Sequence, residues 1–266
     1  MLLLWGLFFM STCQPTLFIS HGAPDFVLTE HVANHALRSL SGKLASPKAI
    51  VIISAHWIES PIGITSAESH QMVYDFSGFP DALYQLTYPA RGDPALAHQI
   101  GGQLESAGFS VNLDQERGLD HGAWVPLMLI YPTAGIPVIQ VSLPKGNLRE
   151  AARLGEALTP LREQNVLIIG SGGSVHNLGA MNREEHTDVW AKKFEYWLQD
   201  NVQGNRFDRV VNPQQFTPLF DQAHPTPEHF APLVVAWAAG NKHKPGRRFH
   251  QSFMYGNIGM AMFEFR

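Results

Sequence analysis

Four short runs of β-branched and aliphatic residues constrain this chain most: "TLFIS" (16–20), "AIVIISA" (49–55), "PVIQVSL" (137–143) and "VLIIGSG" (166–172). Their apolar residues fall at consecutive rather than alternate positions. Each run therefore predicts a strand buried on both faces, which requires a sheet covered by helices on either side. Helix-like segments lie between them at about residues 29–40, 94–106, 147–162 and in the amphipathic "DVWAKKFEYWLQDNV" (188–202). The order predicts an α/β fold, a single-domain sandwich whose central sheet is flanked by helices on both faces. The closing "FHQSFMYGNIGMAMFEFR" reads as two strands turning near Gly256 and Asn257, which makes the sheet mixed but largely parallel.

A chain of 266 residues with 45% hydrophobic content is long enough to bury one sizeable core. No repeat, low-complexity tract or long linker divides it. The net charge of -4 and the lack of a basic run beyond "GRRFH" leave no electrostatic footprint for nucleic acid or an anionic membrane. A small-molecule ligand is expected instead. The single cysteine, Cys13, makes neither an internal disulfide nor a thiolate metal cage, so the cytoplasm is the expected compartment. The opening "MLLLWGLFFMSTC" lacks a positively charged start and a small-x-small cleavage site, and is too short to span a bilayer. Met10 is read as the true start, residues 1–9 as an upstream extension and residues 10–266 as the catalytic domain; an uncleaved anchor is the alternative.

Three of the four apolar runs end in the same way. "TLFIS" runs into His21, "AIVIISA" into His56, and "VLIIGSGGSV" into His176. In open α/β sheets the ligand crevice lies beyond the carboxyl ends of the strands, so residues distant in sequence converge there. Any one such histidine is ordinarily a hydrogen-bonded loop residue. The recurrence, with Gly22, Ala23, Ser54, Ala55, Gly172 and Gly173 beside them, argues for a metal site. "GLDHGAW" adds Asp120 and His121, readable as a local cap or as a proton-shuttling imidazole, and "HPTPEHFAP" adds His224 and His229 before a helix starting near Glu228. His31, His35, His70, His98, His186, His243 and His250 lean towards the surface.

The motifs "FISHGAP", "IISAHW", "YDFSGFPDALYQLTYPARG", "GLDHGAW", "PVIQVSL", "GSGGSVHNL" and "PTPEHFAPL" together resemble the class III extradiol ring-cleavage dioxygenases of the LigB type, in the DOPA 4,5-dioxygenase branch. The resemblance runs from about Thr16 to Phe263. It implies an extradiol dioxygenase that uses Fe(II) and O2 to open a catechol such as DOPA to a semialdehyde, and Zn(II) can occupy the same site. It implies His21, His56 and His229 as metal ligands, His176 as a further ligand or an acid/base group, and His121 as a catalytic imidazole. The common two-histidine, one-carboxylate pattern is absent unless Glu228 supplies the carboxylate.

The aromatics Tyr74, Phe76, Phe79, Tyr84 and Tyr88 are expected to wall the pocket or to pack their loop onto the sheet. Trp57 and Trp124 read either as shields for the metal or as core residues. Arg91, Tyr74 and Tyr255 are candidates for gripping a ring substituent. Two rival readings are a zinc-dependent hydrolase and a non-catalytic relative that binds metal or ligand; no HExxH helix or aspartate-rich dinuclear pattern supports the first. Catechol and O2 are the expected partners, with no nucleic acid and no membrane, and the chain is expected to be a monomer or homodimer.

Overall fold

The structure is a computed structural model that describes residues 13–182 and 186–266. The reading of residues 1–9 lies outside the described residues. Strands β1 (Thr16–Ser20), β2 (Ala49–Glu59), β3 (Ile62–Thr65), β4 (Val111–Asp114), β5 (Val138–Pro144), β6 (Val166–Gly172), β7 (Arg247–His250), β8 (Phe253–Met254), β9 (Ile258–Gly259) and β10 (Met262–Phe265) follow in chain order. Eight of them form one sheet in the order β4-β3-β5-β2-β6-β1-β10-β7, while β8 and β9 pair as a separate hairpin. The central strands β5, β2, β6 and β1 are mutually parallel. Antiparallel pairing enters where β3 meets β5, β10 meets β1 and β7 meets β10. The sheet is thus mixed and largely parallel, as expected, but the hairpin that turns near Gly256 and Asn257 lies outside it, and β3, β7 and β10 supply the antiparallel pairings.

Side chains alternate between the two faces of each central strand. Phe18, Val51, Ile53, Ile139, Val141 and Ile168 fall in one buried cluster; Leu17, Ile19, Ile50, Ile52, Val138 and Ile169 fall in the other. Helices α1 (Val32–Arg38) and α3 (His121–Ile130) cover the second face. The first is covered by α2 (Pro94–Ser106), α4 (Leu148–Leu158), α5 (Val189–Gln203) and α8 (Ala231–Ala239), with the short α6 (Phe207–Val211) and α7 (Phe220–Ala223) beside them. Runs that are apolar on both faces are what this two-sided cover demands. The expected helix over 147–162 divides into α4 and a 3-10 segment, Thr159–Gln164, because Pro160 lacks the N–H that would continue the α-helical ladder. The expected helix near Glu228 begins instead as the 3-10 turn Pro227–His229 before α8.

One strand end differs from the sequence expectation in an instructive way. β2 does not stop before His56 but runs on to Glu59. Its pairing with β5 slips between Ile53 and Ile58, so His56 sits on an irregular, bulged stretch rather than in the ladder. A bulge turns side chains out of strict alternation, and here it turns an imidazole towards the carboxyl end of the sheet. The turn near Gly256 and Asn257 closes β8 and β9. No helix among the described residues is long and apolar enough to cross a membrane.

Candidate metal centre

Strands β2, β6 and β1 are neighbours, and all three point the same way. His56 near the end of β2, His21 after β1 and His176 beyond β6 are therefore delivered to one edge of the sheet. His229 reaches the same place from the turn ahead of α8, which lies against the end of β6: the Gly173 N–H donates to the His229 carbonyl at 2.9 Å. Gly172 makes that approach possible, since a Cβ there would sit 2.1 Å from the His229 carbonyl oxygen. His121 opens α3, capped by the buried Asp120, whose carboxylate accepts the Ala123 N–H at 3.2 Å. Burial is the main reason that the Asp120 carboxyl is pushed up.

The five imidazoles meet in a cavity of about 510 Å3. Ring centroids of His21 and His56 are 5.0 Å apart, those of His56 and His229 4.9 Å, and those of His21 and His229 5.4 Å. His121 lies 3.9 Å from His56, and His176 stacks on His229 at 3.4 Å with ring planes 5° apart. Donor atoms of His21, His56 and His121 lie within 4.8 Å of one another, as do those of His176, Glu228 and His229. His21, His56, His121, His176 and His229 are thus brought into one cavity, and His224 is not.

The partners behind the rings set which nitrogen is free. The Ser171 hydroxyl donates to the Gly122 carbonyl, so it accepts the Nδ1 hydrogen of His21 at 2.9 Å and leaves the His21 Nε2 lone pair bare. His229 donates its Nδ1 hydrogen to Glu228 Oε1 at 3.3 Å, and its Nε2 is buried with no protein partner. His121 donates Nδ1 to Asp75 Oδ1 at 2.8 Å. His56 turns Nδ1 towards Asp75 Oδ2, 3.6 Å away, and its Nε2 towards His21 Nε2 at 3.1 Å.

That last distance tests whether the residues fit a metal. Metal–nitrogen bonds of about 2.1 Å at right angles put neighbouring donors about 3.0 Å apart. Together with the orphaned Nε2 of His229, the spacing fits a cation bound through imidazole nitrogens. Burial, and then repulsion among the rings, lowers the pKa values of His21 and His56, the latter to about 2. The same causes push His176 down to about 3, and burial lowers His229. Rings that resist protonation keep their lone pairs available.

Asp75 is the site residue that sequence reading passed over. It stands inside "YDFSGFP", between Tyr74 and Phe76, in a segment whose density of aromatic residues is its dominant pattern. Burial pushes its carboxyl up, but hydrogen bonds from His121 outweigh this and hold it down at about 2. The Oε1 of Glu228 accepts from the Thr226 hydroxyl at 2.8 Å and from His229 Nδ1 at 3.3 Å. His224 is a buried core residue among Phe194, Phe220 and Phe230. His70, expected at the surface, is buried and bonds the Val138 carbonyl at 2.8 Å.

Of the aromatic loop, Phe76 and Phe79 line the cavity. Tyr74 and Tyr88 spend their hydroxyls on the Leu86 and Tyr131 carbonyls and pack the loop down. Trp57 and Trp124 are core residues rather than shields, Trp57 stacked under the Arg117 guanidinium and Trp124 bonded to the Val73 carbonyl. Tyr255 lines the cavity, whereas Arg91 and Tyr74 do not.

The comparisons with known proteins agree with this geometry. The chain is 40% identical to the 4,5-DOPA dioxygenase extradiol of Beta vulgaris over 95% of its length and 96% of the relative's. It is 35% identical to the protein of that name from Escherichia coli K12, over 88% of each chain. The crystal structure of an uncharacterized protein from Escherichia coli K12 superposes with a TM-score of 0.81 at 29% identity, covering 95% of this chain and all of that one (100%). Residues 8–264 match the family model described as the catalytic LigB subunit of aromatic ring-opening dioxygenase. A sheet edge that gathers imidazoles around one cavity, and a family match across nearly the whole chain, place this protein among the LigB-type aromatic ring-opening dioxygenases.

Proposed function

We propose that this protein is an extradiol dioxygenase that opens the ring of a catechol such as DOPA with O2, using Fe(II) held by His21, His56 and His229. The observation that carries the reading is the near-equilateral triangle of these three rings, with the His229 Nε2 left without a protein partner. Fe(II) bound there would take up the ring hydroxyls and O2 and supply the redox chemistry between them; Zn(II) would suit the same donors without that redox capacity.

His176 is assigned to proton handling rather than to a fourth ligand position. An imidazole lone pair lies in the ring plane, and the rings of His176 and His229 stack face to face with centroids 3.4 Å apart and planes 5° from parallel, so their lone pairs do not converge on one point. The Nδ1 hydrogen of His121 is committed to Asp75, which leaves Nε2 as the base for a substrate hydroxyl. Phe76 and Phe79, in ring contact at 5.3 Å, give the cavity an aromatic wall against which a flat ring packs and from which water is excluded. The catalytic domain is placed at residues 10–266 and the protein in the cytoplasm, where an exposed free cysteine such as Cys13 stays reduced.

Oxygen uptake by protein loaded anaerobically with Fe(II) tests the proposal, with L-DOPA and a panel of simple catechols as substrates. One O2 consumed per ring, with a yellow ring-opened product, is expected. No uptake with any catechol, iron being confirmed in the protein, overturns it.

A further inference from the structure

Helix α5 buries Ala191, Phe194, Leu198 and Val202, the spacing of an ordinary apolar stripe. Glu195 lies in the same stripe and is fully buried. A carboxylate withdrawn from water is destabilising unless donors meet its oxygens. Here both are met. Oε1 accepts the Ser174 hydroxyl at 2.8 Å, and Oε2 accepts from Gln251 Nε2 at 2.7 Å. Burial pushes the Glu195 carboxyl up, and those two hydrogen bonds pull against it.

Ser174 stands two residues before His176, and each of its polar groups is committed. Its N–H donates to the Ser20 hydroxyl at 3.0 Å, and its carbonyl accepts from His224 at 3.1 Å. Its hydroxyl accepts the Ala261 N–H at 3.1 Å while donating to Glu195. Beyond it, the Val175 carbonyl accepts the Gly259 N–H at 3.0 Å, and the His176 N–H donates to the Ala223 carbonyl at 2.9 Å. Gly259 is required at this crossing, since a Cβ there would collide with the Ser174 hydroxyl and lie 3.0 Å from Glu195 Oε1. The stretch 173–176 is thus clamped between Glu195 on one side and Gly259 and Ala261 on the other. What it carries is the His176 ring, stacked on His229.

We infer that Glu195 is a positioning residue: through the Ser174 hydroxyl it fixes the backbone that carries His176 and so holds that imidazole in place for proton transfer. This rests on the proton-handling role given to His176 above.

Ser174→Ala cuts the link without touching the Gln251 bond, Glu195→Leu removes the acceptor, and Glu195→Gln keeps an oxygen acceptor while removing the charge. In iron-loaded protein, Ser174→Ala and Glu195→Leu should each lower kcat for catechol-dependent oxygen uptake about 10- to 100-fold, as a displacement of roughly 1 Å can. Metal content should hold in both, KM for the catechol should hold in Ser174→Ala, and Glu195→Gln should stay near the parent. In a His176→Ala background Ser174→Ala should cost nothing further, whereas a loss that does not run through His176 would add to the first. Proton NMR of the zinc-loaded protein reads the same displacement without turnover. The His176 ring signals, identified by their disappearance in His176→Ala, should move downfield in Ser174→Ala as the ring leaves the shielding of the stack. Parental kcat in either folded variant, loss of metal, additive losses or unmoved ring signals each overturns the inference and leaves the catechol reading standing. A fully active His176→Ala protein overturns the role of His176 and the inference with it, and no uptake by the unsubstituted iron-loaded protein overturns the dioxygenase reading as well.

Discussion

The Asp75 carboxylate accepts the Nδ1 hydrogen of His121 at 2.8 Å. The same oxygen takes the His121 backbone N–H at 3.1 Å, and the other oxygen lies 3.6 Å from His56 Nδ1. One carboxylate thereby orients two imidazoles and fixes the tautomer of His121. Asp75→Asn substitutes an amide that can present N–H to the ring and reverse that tautomer. Turnover is expected to fall about 100-fold, with a smaller loss of bound metal, as when a partner behind a catalytic or ligating histidine is removed. Steady-state oxygen uptake beside metal content checks this; unchanged turnover would remove Asp75 from the site.

Ligand and base are separable by substitution. His56→Ala and His229→Ala should each lose both metal and turnover, leaving less than about a tenth of the metal found in the unsubstituted protein. His121→Ala and His176→Ala should keep most of the metal and lose turnover, since general acid–base contributions run to about 10²–10⁴-fold. Metal analysis after dialysis decides the matter, and a His176→Ala protein stripped of metal would return His176 to the ligand set.

Gly172 holds the cluster together without contributing a side chain. A Cβ at this position would lie 2.1 Å from the His229 carbonyl oxygen and 3.3 Å from Pro232. Gly172→Ala must push the 227–229 turn away from β6, and a cost of about 1–3 kcal/mol in stability is expected from overpacking of this kind. Metal affinity should drop with it, because His229 moves with its carbonyl. Thermal unfolding compared with metal titration reports both; a variant equal to the parent in each would mean that the turn yields freely.

Acid sensitivity should trace in part to His224. Its Nε2 donates to the Ser174 carbonyl at 3.1 Å, and its Nδ1 is buried without a partner. Burial is the main cause that pushes its pKa down to about 3 from 6.5. The unfolded chain takes up this proton below about pH 6.5, while the folded chain resists until about pH 3. Stability is therefore lost as pH falls through that window, by up to about 1.4 kcal/mol per pH unit from this group. His224→Gln keeps a donor for Ser174 and cannot titrate. Urea unfolding of metal-free protein at pH 7, 6 and 5 should give the variant a shallower pH slope, and parallel slopes would exclude His224 as a contributor.

Much of this molecule is legible in the residues themselves. Runs such as "AIVIISA" and "VLIIGSG" carry their strand assignment locally, because a segment apolar at every position has no solvent face to offer. Prediction and structure agree on Pro94–Ser106 as a helix, where Pro94 opens the first turn and Asp93 caps it. The histidines at strand ends are visible for the same reason: a titratable ring after such a run interrupts a pattern that would otherwise be uniform. Strands β3 and β4 were not legible, since four-residue segments such as "IGIT" and "VNLD" carry too little pattern to separate them from loops.

What the sequence alone determined is the layered fold and the set of imidazoles; tertiary structure decided how they are used. Only the sheet order, with β2, β6 and β1 side by side, brings His56, His176 and His21 to one edge. The bulge that aims His56 depends on its pairing with β5. Asp75 becomes a site residue because its loop folds back over the start of α3, a contact across 46 positions that no local pattern encodes. The stack that separates the roles of His176 and His229 is likewise a product of packing, set where Gly172 and Gly173 let the 227–229 turn rest on β6. Local sequence fixes hydrophobic period and residue chemistry; the directions in which lone pairs point are settled by contacts between segments far apart in the chain.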